Sequence, residues 1–333
     1  MASDITRLHH VGHVVDDLVE ATGLYERLGF TLPPPHCPAM AAHEDAAPRP
    51  FGVANTHADF PRSFVELVTR VGDDGAGRLP DDARLVPLRA PAGQLPRLVE
   101  RIRATSDRVA AYLDRFEGLH ILMFSSPAID AAADRLARAG VRHGGVNTVG
   151  RAAPPGAAAP VETVRYVEFD GDGPGDEPGA DRAGRSGEGR LGVVADLDPD
   201  IQGARDLAHP NGALELVEAV LCVADGELAT AVRRYETYTG RTAARRGAAR
   251  TLHLDGAAVT VVPASGLAEV LPGERPAALP ALVGYTVAVR DLSRTRALLQ
   301  RNGFPLRATP RGDVLVPAAA ALGAAIAFRQ AAP

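Results

Sequence analysis

Lysine is absent from this chain of 333 residues, so all 36 basic side chains are arginine. That excludes a Schiff-base lysine, covalent attachment of pyridoxal phosphate and the lysine of a phosphate-binding loop. Tryptophan is absent as well and aromatic residues make up 5%, which leaves little surface for stacking a flat ligand. The two cysteines, Cys37 and Cys222, lie far apart in unlike contexts, so neither a disulfide framework nor a paired-thiolate metal site is expected, and a reducing cytoplasm is the simplest setting. No apolar run approaches the ~18 residues of a membrane span. Met1-Ala2-Ser3-Asp4 lacks the cationic start of a secretion signal. A net charge of −5 gives no basic surface for nucleic acid. The wealth of alanine, arginine, proline and glycine fits a GC-rich bacterial genome.

What is present is a pattern that returns. Residues 8–15 alternate as a strand and carry His9, His10 and His13. Asp16-Asp17 turns the chain, and Leu18, Ala21, Leu24, Tyr25 and Leu28 then fall at helical spacing until Gly29 stops the helix. A proline-rich loop over 33–50 and strands at 51–57 and 63–68 complete the unit. The opening returns at 119–127 with a helix over 129–139, at 216–225 with a helix over 227–238, and at 283–292 with a helix to Gln300. Asp17 to Gly29 and Asp291 to Gly303 are both twelve residues apart. Strands are expected at 164–169, 191–195, 250–254 and 257–263. In this register His10, His120, Glu218 and Gly284 share one strand position. The intervening residues 95–116 have the spacing of a surface helix, read as a connector against the sheets, whereas 170–189 is rich in glycine and aspartate and reads as a mobile loop.

These residues resemble the vicinal oxygen chelate superfamily, in particular its glyoxalase-like members. The resemblance rests on the histidine strand with Asp17-Leu18, on Tyr25-x-x-Leu-Gly-Phe, on Asn55 after Gly52, and on Phe64-Val65-Glu66-Leu67-Val68. Glu117-Gly118-Leu119-His120 and His209-Pro210-Asn211-Gly212-Ala213 extend it over nearly the whole chain. It implies an α+β fold of four βαβββ modules forming two half-open barrels. The N-terminal domain would be 1–212, with modules at 5–70 and 118–212 joined by the connector 71–117, and the C-terminal domain 213–333, with modules at 213–265 and 280–333. It also implies a divalent ion, Fe, Mn, Ni or Zn, held by His10, Glu66 and His120, one ligand from each of three distant strands. The second domain, with Glu218 and Gly284 at the ligand positions, is expected to lack metal.

Each candidate has a plainer alternative. His10 alone can be a buried, hydrogen-bonded histidine, and Glu66 can be half of an arginine pair. His9 and His13 have opposite parity to His10 and are expected to face away from it. His57 alternates with Asn55 and Asp59 and can act as an acid or base if that face lines the cleft. Glu215 is the nearest fourth ligand or base, with its register uncertain by one residue, enough to reverse its face. His209 reads as a turn former, His143 and His253 as structural, and Arg151 as a possible anion contact. Two functions follow. One is a metal-dependent isomerase, lyase or dioxygenase acting on a small vicinal-oxygen substrate; the other is a small-molecule-sequestering protein without turnover. Neither needs a nucleic acid or a membrane, and a homo-oligomer is compatible with both.

Overall fold

A computed structural model of the chain describes residues 4–41, 47–72, 79–88, 93, 95–152, 157, 161–170 and 187–332. Most of the loop expected at 170–189 lies outside these residues, as does the side chain of Arg151. The first quarter runs β1 (Arg7–Val14), α1 (Leu18–Arg27), β2 (His36–Met40), β3 (Arg49–Pro50), β4 (Gly52–Asp59) and β5 (Phe64–Val71). Next come β6 (Arg84–Pro87), α2 (Leu95–Leu113), β7 (Gly118–Ser126), α3 (Ile129–Arg138), β8 (Asn147–Ala152), β9 (Val161–Glu168), β10 (Arg190–Ala195) and the single turn α4 (Pro199–Gly203). The remainder is β11 (Ala213–Val223), α5 (Leu228–Thr239), β12 (Ala244–Arg246), β13 (Ala249–His253), β14 (Ala258–Pro263), β15 (Ala281–Val289), α6 (Leu292–Arg301), β16 (Arg307–Ala308), β17 (Val314–Val316) and β18 (Ala325–Gln330). The fold is therefore mixed α+β, built on a large sheet with both parallel and antiparallel pairs.

Local chemistry accounts for the helices. Asp17 caps α1 by accepting from Val19 and Glu20, and Asp291 caps α6 by accepting from Arg294. Leu18, Ala21, Leu24 and Tyr25 give α1 one buried stripe. Gly29, at φ +85°, ends it in a conformation only glycine adopts easily. The proline-rich stretch was expected to be a loop, yet it holds β2 and β3. β2 meets β4 at His36↔Asn55 and runs parallel to the exposed strand β6.

In the N-terminal half β1 is central, parallel to β5 (Gly12↔Glu66) and antiparallel to β7 (Val11↔Leu122). β7 continues to β10, and β10 to β9 and β8. The C-terminal half repeats this arrangement: β11 lies between β14 and β15, and β15 lies beside β18. The two halves meet in backbone register at Leu282↔Leu119 and in one apolar core containing Tyr25, Tyr235 and Tyr285. A buried polar chain also crosses between them, since the Tyr25 hydroxyl meets His13 Nδ1 at 2.8 Å and the Tyr285 hydroxyl at 2.9 Å.

Helix α2 packs against the sheet as expected, with Ser106 and Val109 as its buried residues. Val109 joins Val14, Val68, Ile121, Met123 and Val194 in a separate apolar cluster on the inner face of the N-terminal half. Ser106 donates to the Gly52 carbonyl at 3.1 Å. The expected connector is thus an inserted helix that fills part of the cleft.

Candidate active site

Two strand pairings assemble the site. His10 stands beside Phe64 across β1 and β5, and His57 stands beside Glu66 across β4 and β5. The Phe64 ring separates the two imidazoles, stacked on His10 at 4.5 Å and 8° and tilted against His57 at 4.5 Å. Asn55, two residues before His57 on the same face, donates to Glu66 Oε1 at 2.8 Å. His10 Nε2 is 4.0 Å from Glu66 Oε2, and His57 Nε2 is 4.0 Å from Glu66 Oε1. All three side chains are mostly buried, yet they border a cavity of about 420 Å³. Its other walls include Met123, Val161, Tyr166, Arg190, Val194 and Asp196.

The remaining charges near this cavity are largely neutralised. Glu168 binds Arg190 at 2.9 Å and Arg108 of α2 at 3.2 Å. Burial pushes the Glu168 carboxyl upward, but the two guanidiniums outweigh it and hold its pKa below the ordinary range. Burial likewise works against Arg190, and Glu168 followed by Glu66 restores and raises its pKa. Glu162 pairs with Arg205 at 3.0 Å, and Asp196 accepts from Ser125 at 2.7 Å. Glu66 accepts from Asn55, has two imidazoles at 4.0 Å, and shares the charge of Arg190 with Glu168.

The structure corrects several expectations. His9 faces the cavity beside His10, because the β1–β7 register shifts between Leu8↔Phe124 and His10↔Met123 and leaves His9 as a bulge. Their Nδ1 atoms are 2.7 Å apart, so one ring donates and the other accepts. His13 faces the core, as its parity implies, and its Nε2 donates to Leu322 O at 2.7 Å.

His120 does not join His10 and Glu66. It is the bulged residue of β7, between Gly12↔Ile121 and His13↔Leu119. Its ring stacks on Tyr112 at 4.9 Å and packs against Phe116, whose carbonyl accepts from His120 Nε2 at 2.8 Å. The helix caps explain the displacement. Asp17 and Ala128 are equivalent N-caps; 17 − 10 = 7 and 128 − 121 = 7, so Ile121, not His120, is the counterpart of His10.

Glu215 is also elsewhere, held by Arg62 at 2.9 Å and by the Ser63 hydroxyl, where it ties the start of β11 to the start of β5. His209 is structural, donating to Asp59 O at 2.9 Å and accepting from Thr31 N at 3.0 Å, and His143 caps a turn by accepting from Gly145 N at 3.1 Å.

The donor set does not fit a resident divalent ion. Ions of this class bond nitrogen and oxygen at about 2.0–2.2 Å, which places neighbouring donor atoms about 3 Å apart. At 4.0 Å an ion would have to lie almost on the line joining each imidazole to the carboxylate. The counterpart of His10 on β7 is the apolar Ile121, and among the described residues no three His, Cys, Asp or Glu side chains converge on one ion. A ligand oxygen fits better, since at hydrogen-bond distances of about 2.8 Å it sits off that line with room around it.

In the C-terminal half, Glu218 and Gly284 occupy the expected positions on β11 and β15. Glu218 accepts from Thr260 at 2.5 Å, Arg311 at 3.0 Å and Arg329 at 2.7 Å, and Arg329 also binds both oxygens of Asp313. Burial disfavours charge on Arg329, but hydrogen bonds and charge from Asp313 and Glu218 raise its pKa. A guanidinium thus fills the middle of that cleft, and the remaining cavity is about 140 Å³.

Sequence reasoning missed the contribution of β9 and β10. Tyr166 of β9 and Arg190 of β10 border the cavity, and no local signal in the sequence shows that these strands line it.

Comparison with known proteins agrees with this architecture. The family profile of glyoxalase-like domains matches residues 8–239, from β1 through α5. No curated protein matches the chain. Among solved structures, a mutant of 4-hydroxymandelate synthase from Streptomyces coelicolor is similar at a TM-score of 0.56 and 13% identity, over 99% of this chain and 94% of that one. A hypothetical protein from Staphylococcus aureus gives 0.54 and 10% identity, over 98% and 100% of the two chains. The Mn(II)-bound glyoxalase from Novosphingobium aromaticivorans gives 0.51 and 14% identity, over 98% and 82%. At such identities the likeness is one of fold.

Proposed function

The chain belongs to the family of glyoxalase-like domains, and from that premise we propose that its N-terminal cleft moves protons at a carbon beside a carbonyl in a small vicinal-oxygen compound. The observation that carries this reading is the Glu66 carboxylate with His10 and His57 each 4.0 Å away, bordering a cavity large enough for a small metabolite.

A ligand oxygen lying between Glu66 and the imidazoles meets a donor on one side and a base on the other. Glu66 takes the proton from the carbon next to the carbonyl, the C–H electron pair becomes the C=C bond of an enediol, and His57 delivers a proton to the carbonyl oxygen. Glu66 then returns its proton to either carbon while the imidazole of His57 takes the hydroxyl proton from the oxygen on the other carbon, so that a carbonyl re-forms there; delivery to the second carbon completes an isomerisation with nothing gained or lost. His10, fixed by its Nδ1 contact with His9, presents Nε2 to the second oxygen. Asn55 holds the Glu66 carboxylate in place. Phe64, Met123, Val161 and Val194 form the apolar part of the wall, and Tyr166, Arg190 and Asp196 belong to its polar part.

The test is exchange of solvent deuterium into hydroxyacetone and 2-hydroxyacetophenone, followed by NMR. Catalysed exchange is expected, with a loss of about 100-fold or more in Glu66→Gln and likewise in His57→Asn, typical of removing a general acid or base. The rate should survive dialysis against EDTA. Exchange no faster than in buffer, or full activity in Glu66→Gln, overturns the reading. The apolar part of the wall favours one second reading, sequestration without turnover, whose signature is saturable binding of these compounds with no exchange.

A further inference from the structure

Behind Glu66 lies a second cavity of about 190 Å³, which shares Asn55, Glu66 and Arg190 with the larger one. Its other walls are Val53 of β4, Val68 of β5, Ile121 of β7, and Val109 and Tyr112 of the inserted helix α2, with Thr105 and Arg108 at the margin. The polar groups around it are engaged. Glu66 accepts from Asn55, Arg108 and Arg190 donate to Glu168, and Thr105 donates to Arg101 O at 3.0 Å. What faces this space is therefore mainly aliphatic side chain and one tyrosine ring.

The space is a recess rather than a sealed void, and its size and mainly apolar lining suit one compact apolar group. An apolar cavity of about 150 Å³ stays dry and takes up benzene. We propose that this rear compartment receives the apolar arm of the ligand, one six-membered ring or a branched alkyl group of that size, while the ligand's vicinal oxygens meet Glu66, His10 and His57 in front. The ligand class is thus a two-ended molecule with a compact oxygenated head and a single apolar arm. This assignment rests on the proton-transfer reading for the head, whereas the arm's compartment can be tested without it.

Fluorobenzene, which has no oxygens, probes the rear compartment by 19F NMR. Saturable binding to the wild-type protein is expected. 2-Hydroxyacetophenone should displace fluorobenzene, and hydroxyacetone, which lacks the ring, should not. Val109→Phe and Val53→Phe fill the space from opposite walls; each should weaken fluorobenzene binding at least tenfold and raise KM for 2-hydroxyacetophenone by a similar factor. KM for hydroxyacetone should stay unchanged, and Glu66→Gln should bind fluorobenzene as the wild type does. The proposal is overturned if wild-type protein shows no saturable binding, if hydroxyacetone displaces fluorobenzene as well as the ring compound does, or if a folded filling variant binds fluorobenzene normally. Absent deuterium exchange with fluorobenzene binding as described would remove the proton-transfer reading and leave the compartment standing.

Discussion

His13 and His120 are sealed in the interior, and burial lowers the pKa of each to about 4, against the partial support of the carbonyls of Leu322 and Phe116. Charge on Arg115 lowers His120 further. Both rings are neutral in the folded protein at pH 7. In the unfolded chain they titrate near 6.5, so between about pH 6.5 and 4 the unfolded state binds more protons. Stability is therefore fully present above that window and falls as the pH drops through it, by up to roughly 3 kcal/mol for each histidine. Urea unfolding at pH 7.5 and pH 5 should show this loss, and His120→Phe should reduce the slope. A slope unchanged in that variant would mean that His120 is not held neutral by the fold. At this scale the sequence identified His10, His57 and Glu66 as reactive residue types on strands, but it could not say which histidines meet. His9 and His120 are bulged at equivalent places, eight residues before Asp17 and Ala128, and a bulge changes the direction of a side chain without altering composition or spacing.

Among the elements, α2 gives the cleft its individual shape. The helical spacing of residues 95–116 was legible, because Leu98, Ile102 and Val109 recur on one face. Its docking was not, because nothing local shows that this face enters the N-terminal cleft rather than covering its outside. The contact depends on Gly52, where a Cβ would stand 2.2 Å from Ile102 Cγ2 and where φ is +85°. Gly52→Ala combines a clash with a disfavoured backbone conformation and should cost roughly 2 kcal/mol. The loss should appear as a lower urea midpoint with faster amide exchange concentrated in α2. Exchange accelerated uniformly across the sheet would show instead that the helix is not the part released.

For the whole molecule, two similar halves have opposite fillings at the centre. The first surrounds a carboxylate with imidazoles and open space, and the second surrounds Glu218 with two arginines. Arg329→Met leaves Glu218 and Asp313 without their main cation and should destabilise the protein by about 3 kcal/mol. Deuterium exchange at the first cleft should be unchanged at 25 °C; a proportional loss of exchange would show that the second cleft takes part in the chemistry. The four strand–helix openings, the turns at Asp17 and Asp291 and the placing of Glu218 and Gly284 were determined by the sequence alone, because turn chemistry and apolar spacing are local signals that short stretches carry by themselves. Only the tertiary structure decided that His9 joins the cleft and His120 leaves it, that Glu215 fastens two strand ends, that Arg329 fills the second cleft and that α2 divides the first. Each of these depends on a register shift of one residue or on contact between distant segments, and a strand's alternation then converts a single-residue difference into a different face of the sheet.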